Sequence, residues 1–495
     1  MRHLIFISLL LAVVFWVSSC VVQEKEVEKS DLNILYVGVN PEKGLSKRDS
    51  MYSQYKERVL ELQQKRSADF ETLLKQYFNT VKVVYSEDFK EQMSAEYDVT
   101  IIDDYLPVLS GGYIKNPETG EITGYETRKY LSEEYDAATL MIGEPSAFTG
   151  EGRQLKIDHL CLCLDAHAHS MKLEHPIFNE PFKVDISYED VKLTGNYHVR
   201  YGGRNLKETM PMWRIQTEGY RDEKGFPVGL VSAGYGFDNG MDAEWISSGT
   251  CDKGIEATAI GRHANFLHWG FVAAPEYMTE SAKMAFVNAI HYIAPFKGAK
   301  QITRKIKGTM LRPYIREQQW TLSDEGSSRW LAYIEEGAKK QREQKKKFQA
   351  KKDAGETLTE MEEMMLQMPD RKETRAWTIR HEPQERKDKF GEDWAGYENY
   401  YKQNMDYFYA IGNRYNVAVD EDAKALGIAN SDIKILDKAV EMWQKKGDAE
   451  MAQRILTRYT RESFTTADEW STWLKKHHSK LYFSEGDGYK YIVLP

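Results

Sequence analysis

Three groups of side chains in this chain have the types and spacing to do chemistry. The first is Asp165-Ala166-His167-Ala168-His169. In extended backbone, Asp165, His167 and His169 point the same way, with Cβ atoms about 6.5–7 Å apart at a rise of about 3.3 Å per residue. An H-x-H pair beside a carboxylate suits zinc or another transition metal, which neutral imidazole ligates well. The same side chains could instead hydrogen-bond a substrate or the backbone, and His175 could join them by loop closure. The second group is Arg262, His263, Asn265, His268 and Trp269, just before Gly270. Strand alternation puts His263 and Asn265 on one face, with Arg262 and His268 on the other. His268 could act as general acid or base, because an imidazole with a pKa of about 6.5 exchanges protons near neutrality. Trp269 could stack on a sugar ring; equally, both residues could simply pack in a core. The third group is Glu144 with Asp103-Asp104, carboxylates that end neighbouring strands, where they either do acid/base work or cap the helices that follow.

These groups need a scaffold that brings strand ends together. The runs at 33–39 (NILYVGV), 81–85, 97–103 (YDVTIID), 138–142 and 158–164 read as strands, with a helical pattern over 52–78. The fourth run breaks at Gly143-Glu144-Pro145. This βαβ rhythm predicts an α/β fold with a mostly parallel sheet flanked by helices, whose ligands bind at the carboxyl ends of the strands. Residues 184–214 read as partly antiparallel elaboration, and 226–232, 243–247 and 255–267 as further strands. Thr279-Glu280-Ser281-Ala282 opens a helix carrying Met284, Phe286, Val287, Ile290 and Ile293. Residues 298–395 form a charged connector with a long helix over 329–352. Residues 396–495 form a small helical unit, suited to packing or a protein partner, that ends in a hairpin around Glu485-Gly486-Asp487-Gly488.

The first twenty residues address location. Arg2 and His3 precede an apolar run from Leu4 to Trp16 that is too short to span a bilayer but suits a signal peptide. Val17-Ser18-Ser19-Cys20 resembles the lipobox of bacterial lipoproteins, which implies acylation of Cys20 and anchoring to the lipid bilayer. Residues 21–31 then read as a charged tether. The expectation is a membrane-anchored lipoprotein in the periplasm or at the cell surface. Cys161 and Cys163 share one face of a strand, where they cannot easily bridge each other; buried thiols, metal ligation and a disulfide to Cys251 all stay open. The net charge is −9, from 67 basic and 76 acidic residues. Their interspersion gives no reason to expect nucleic acid as a partner.

Residues 32–297 resemble the ThuA-like branch of the class I glutamine-amidotransferase-like fold. The resemblance rests on NILYVGV, YDVTIID, His175-Pro176-Ile177 ahead of Phe182, and GRHANFLHWGF with its helix. It implies a flavodoxin/amidotransferase-like sheet and a carbohydrate-derived small-molecule ligand, bound and in one form hydrolysed or isomerised. The sequence departs from amidotransferases at Met141-Ile142-Gly143-Glu144-Pro145-Ser146, which lacks the nucleophilic cysteine, so thiol-based glutamine hydrolysis is not expected. Ser146 there reads as a substitute nucleophile or, more simply, a helix cap. The expected catalytic residues are Glu144, His167 and His268. Asp104, His169, Arg262, His263, Asn265 and Trp269 are expected to bind substrate, with no cofactor unless Asp165, His167 and His169 hold a metal. Two rivals stand beside this reading: a non-catalytic surface module, and a metal-dependent hydrolase built on those three residues. All of it requires the two histidine segments to meet at one rim of one sheet.

Overall fold

The computed structural model describes residues 28–45, 55–157, 161–237, 240–370, 372–412 and 415–495. The signal-peptide segment, Cys20 and most of the tether lie outside the described residues. The chain first lays down β1 (Ser30–Gly38), β2 (Phe78–Tyr85), β3 (Val99–Ile102), an outlying hairpin of β4 (Ser110–Lys115) and β5 (Ile122–Lys129), and β6 (Thr139–Ile142). There follow β7 (Cys161–Leu164), β8 (His167–His169), β9 (Tyr188–Lys192), β10 (Thr209–Arg214) and β11 (Gly229–Val231). Then come β12 (Ala243–Gly249), β13 (Thr258–His263) and β14 (Phe266–Trp269).

Ten of these strands form one mixed sheet in the order β2-β1-β3-β6-β14-β13-β12-β8-β10-β9. From β2 to β14 the pairings are parallel; beyond β14 they are antiparallel. β3 (VTII) and β6 (TLMI) are buried at every position, as strands covered on both faces must be, which is why they read as continuous apolar runs. Helix Lys56–Tyr77 connects β1 to β2 and buries Phe70, Leu73 and Leu74. Helix Glu280–Ile293 follows β14, starting where expected: the Thr279 hydroxyl accepts from the Ala282 amide at 3.2 Å.

One expected strand lies elsewhere. The described part of the 158–164 run, β7, leaves the main sheet and pairs antiparallel with β11. The fifth parallel position, beside β6, belongs to β14, whose entry is fixed by the Thr139 amide donating to the Asn265 carbonyl at 2.8 Å. The sequence distance between β6 and β14 hides this pairing from any local pattern.

The C-terminal region holds helices Arg312–Leu322, Asp324–Asp353, Lys434–Gln444, Ala449–Tyr459 and Ala467–His477, among others. It also holds two hairpins, β15 (Phe408–Ile411) with β16 (Asn416–Val419), and β17 (Leu481–Ser484) with β18 (Lys490–Val493). Its own core gathers Leu436, Ala439, Ile455, Leu456, Tyr459, Trp470 and Tyr491. Arg312 ties the turn of the last hairpin back to the connector: its backbone and guanidinium both donate to Glu485, at 2.9 and 2.6 Å.

Candidate functional site

The carboxyl ends of β1, β3 and β6 open onto a pocket of about 230 Å³, lined by Val39, Arg66, Asp103, Asp104, Tyr105, Ile142, Glu144, Pro145 and Val272 among others. β2 lies on one side of β1 and β3 on the other, so the chain reverses its direction of travel at this point. A crevice forms there because the connections leave in opposite directions.

Each polar wall residue is held by a distinct contact. Arg66 projects from helix Lys56–Tyr77 and makes a two-pronged bond to Asp103, with Nε and Nη2 both at 2.6 Å from the carboxylate. Its Nη1 donates to the Val272 carbonyl at 2.6 Å, and Tyr36 adds a phenol hydrogen to Asp103. Burial works against the Arg66 charge, but the Asp103 carboxylate beside it holds the guanidinium above its usual value. Asp104 accepts from the Ser86 hydroxyl at 2.6 Å and from Lys43 at 3.4 Å. Glu144 accepts from the Tyr105 phenol. Asp104 and Glu144 therefore converge as expected for carboxylates at neighbouring strand ends.

Glu144 is presented by a turn that favours glycine. Gly143 has φ +62°, and a Cβ there would lie 2.5 Å from the Val272 side chain. Beneath the turn sits His268, fully buried. Its Nε2 faces the Leu230 carbonyl at 3.3 Å and its Nδ1 shares a hydrogen bond with the Ser146 hydroxyl at 2.8 Å. The Ser146 hydroxyl also donates to the Gly143 carbonyl. Ser146 is thus no helix cap: helix Pro145–Gly152 starts without a side-chain cap, and the serine links histidine to turn. Burial lowers the His268 pKa to about 4, so the ring is neutral at physiological pH.

The other expected residues are placed differently. Trp269 packs edge-on to Phe286 in the core, centroids 5.3 Å apart, and has no face for a sugar. His263 accepts from the Lys156 amide at 2.8 Å and lies 3.4 Å from Asp242, joining the sheet to the connector at Thr303. Asn265 donates to the Ala137 carbonyl at 2.8 Å. Arg262 bonds Glu244 at 2.7 Å and lies over the Phe296 ring at 4.0 Å. His175 accepts from the Ile177 amide at 3.2 Å, closing its own turn.

The expected meeting of the two histidine segments does not occur. β8 is separated from β14 by β13 and β12, three steps of about 4.8 Å along the sheet. His167 pairs with Glu189, which Arg214 also holds at 2.8 Å. His169 is buried, donating to the Tyr197 oxygen at 2.8 Å and accepting from Ser170 at 3.0 Å. Burial brings its pKa down to about 4. Asp165 faces Arg221 at 3.7 Å. These three residues turn to three different partners, and among the described residues no group of three His, Cys, Asp or Glu is arranged to hold a metal. Cys161, Cys163 and Cys251 are unbridged, and the Cys163 sulfur accepts from the Asp252 amide at 3.4 Å.

Two pocket residues escaped the sequence reading. Arg66 interrupts the apolar stripe Leu62–Phe70–Leu74 of its helix, a visible signal that the position faces something polar. Tyr105 directly follows the Asp103-Asp104 pair and could have been read with it. Compared with models of known protein families and with curated protein sequences, the chain matches none.

Proposed function

We propose that this chain is a lipid-anchored extracytoplasmic protein whose α/β unit, a ThuA-like domain of flavodoxin-type strand order, binds a carbohydrate-derived small molecule in the pocket above β1, β3 and β6. One observation carries the reading: two carboxylates, Asp104 and Glu144, and the Tyr105 ring converge on a pocket at the reversal point of a parallel sheet. Carboxylates accept hydrogen bonds from hydroxyl groups, and an aromatic ring packs against the apolar face of a sugar. The pocket is smaller than the roughly 300–1,000 Å³ of drug-sized sites, which limits its occupant to about one sugar ring. Arg66 and Asp103 neutralise each other and form a fixed wall. Glu144 is the group placed to take a proton from the ligand and return it, so hydrolysis or isomerisation would run through that carboxylate. His268 supports the turn instead of acting as the base.

The test is calorimetry of the full chain against neutral sugars and keto-sugars, with product analysis by chromatography. Saturable binding that Glu144→Gln weakens at least tenfold supports the reading. If no sugar of the panel gives heat or a thermal shift, the pocket is not a sugar site and the binding-module alternative takes its place. Anchoring rests on the Leu4–Cys20 pattern. No helix among the described residues is long and apolar enough to cross a membrane. Labelled palmitate should be incorporated by the expressed chain and lost in Cys20→Ser; equal labelling of both would remove the anchor.

A further inference from the structure

The surface beside the pocket continues its chemistry along a defined line. Helix Pro145–Gly152 begins at the pocket wall, and the positions 144, 148 and 151 fall on one helix face. Glu144 lines the pocket, Phe148 is 37% exposed, and Glu151 pairs with Lys307. Phe148 meets Tyr105 edge-to-face at 5.5 Å and Tyr130 at 6.2 Å, so a cluster of three rings extends outward from the pocket wall at Tyr105. From Glu144 to Glu151 the helix rises about 10 Å at roughly 1.5 Å per residue.

The β4–β5 hairpin extends the line further. Its β5 strand packs against this helix so closely that a Cβ on Gly152 would lie 2.5 Å from the Arg128 carbonyl. Tyr113 and Tyr125 are cross-strand partners with rings 5.4 Å apart, 60% and 52% exposed. The Tyr125 and Tyr415 phenols both lie within electrostatic reach of Lys307. Rings thus stand on either side of the Glu151–Lys307 pair between the pocket and the hairpin. The hairpin also exposes Ile114 and Ile122, 52% and 56%, so a protein segment is the competing occupant, and an extended peptide tests for it. A membrane-dipping arm would not carry Glu118 and Glu121 at its tip, facing an anionic leaflet. Rings for apolar sugar faces, spaced by charged groups for hydroxyls, match a polyhydroxylated chain.

We infer that the pocket is the closed end of a longer track, and that the ligand is an extended oligosaccharide whose terminal unit enters the pocket while the next units lie along Phe148 and the Tyr113–Tyr125 hairpin. This rests on the pocket being a sugar site. The experiment is calorimetry of the full chain in detergent with β-1,4-linked glucose of one to six units, and the α-1,4-glucose, mannose and xylose series beside it. In the series that binds, affinity rises at least tenfold from one unit to four. In Tyr113→Ala/Tyr125→Ala, whose positions are exposed and do not threaten folding, the four-unit to one-unit affinity ratio falls to near one. Equal affinity for every length overturns the track and leaves the pocket reading standing. No binding at any length overturns both. An unrelated extended peptide that binds as tightly as the four-unit sugar overturns the carbohydrate assignment.

Discussion

The strand ends and the strand interiors of the central sheet use polar side chains for different purposes. Asp104, Glu144 and Tyr105 stand just beyond strand ends and line an open pocket. In β8, β13 and β14, by contrast, His167, His169, His263 and His268 lie within strands and are spent on neighbours. A polar side chain inside a covered strand must find a partner within the protein, because water cannot reach it. One just past the strand's end can face an open pocket while still holding a protein partner, as Asp104 does with Ser86 and Glu144 with Tyr105. Position relative to the strand terminus decides which of them a pocket can reach: Asp104 and Glu144 line it, while the strand histidines do not.

The sharpest way to break this contrast is to remove the cation from the pocket wall. Arg66→Met leaves Asp103 buried without its partner and should cost about 3–5 kcal/mol in chemical denaturation, as when any buried pair loses one member. A loss under about 1 kcal/mol would mean that the wall is not held by that pair. His268→Ala removes the ring beneath the turn and should cost about 2–3 kcal/mol from its cavity and the lost hydrogen bonds. It should also weaken sugar binding indirectly, by freeing the Gly143–Pro145 turn. Unchanged stability would show that the ring supports nothing.

Acid should single out the strand-interior histidines without any mutation. His169 and His268 have folded pKa values of about 4 against 6.5 for the free ring. The unfolded chain binds their protons first, so their contribution is complete above pH 6.5 and is lost as pH falls towards 4. The slope is at most about 1.4 kcal/mol per pH unit for each ring. His268→Gln should lose one ring's share of that slope in urea titrations at pH 4.5–6.5; an unchanged slope would place the titration elsewhere. Glu144→Gln sharpens the comparison from the pocket side, lowering ligand affinity at least tenfold while shifting stability by no more than about 0.5 kcal/mol. The smallest effect belongs to His167→Ala. Its half-exposed partner Glu189 limits the pair to about 1 kcal/mol, and ligand affinity should not move. A large loss of binding there would return β8 to the site.

Much of the scaffold could be read in advance. β1, β3 and β6 are continuous apolar runs, and Thr279 announced its helix. Asp104 and Glu144 were legible because each directly follows such a run, at the break that marks a strand end. The histidines misled because H-x-H and HANFLH look alike whether a strand carries them inward or delivers them to an edge. Alternation gives the face but not the depth. The β4–β5 hairpin went unread because exposed aromatics on a two-sided strand lack the alternation that burial imposes.

The sequence by itself determined the α/β class, the capped helix after β14 and the carboxylates at strand ends, since these follow from local periodicity and from residues that stop a strand. Only the tertiary structure decided that β14 pairs with β6, that Arg66 reaches Asp103 across 37 residues, and that His268 lies sealed under a turn. Those outcomes depend on contacts between distant segments, where packing and the need to satisfy every buried polar group choose the partner. No local pattern encodes that choice.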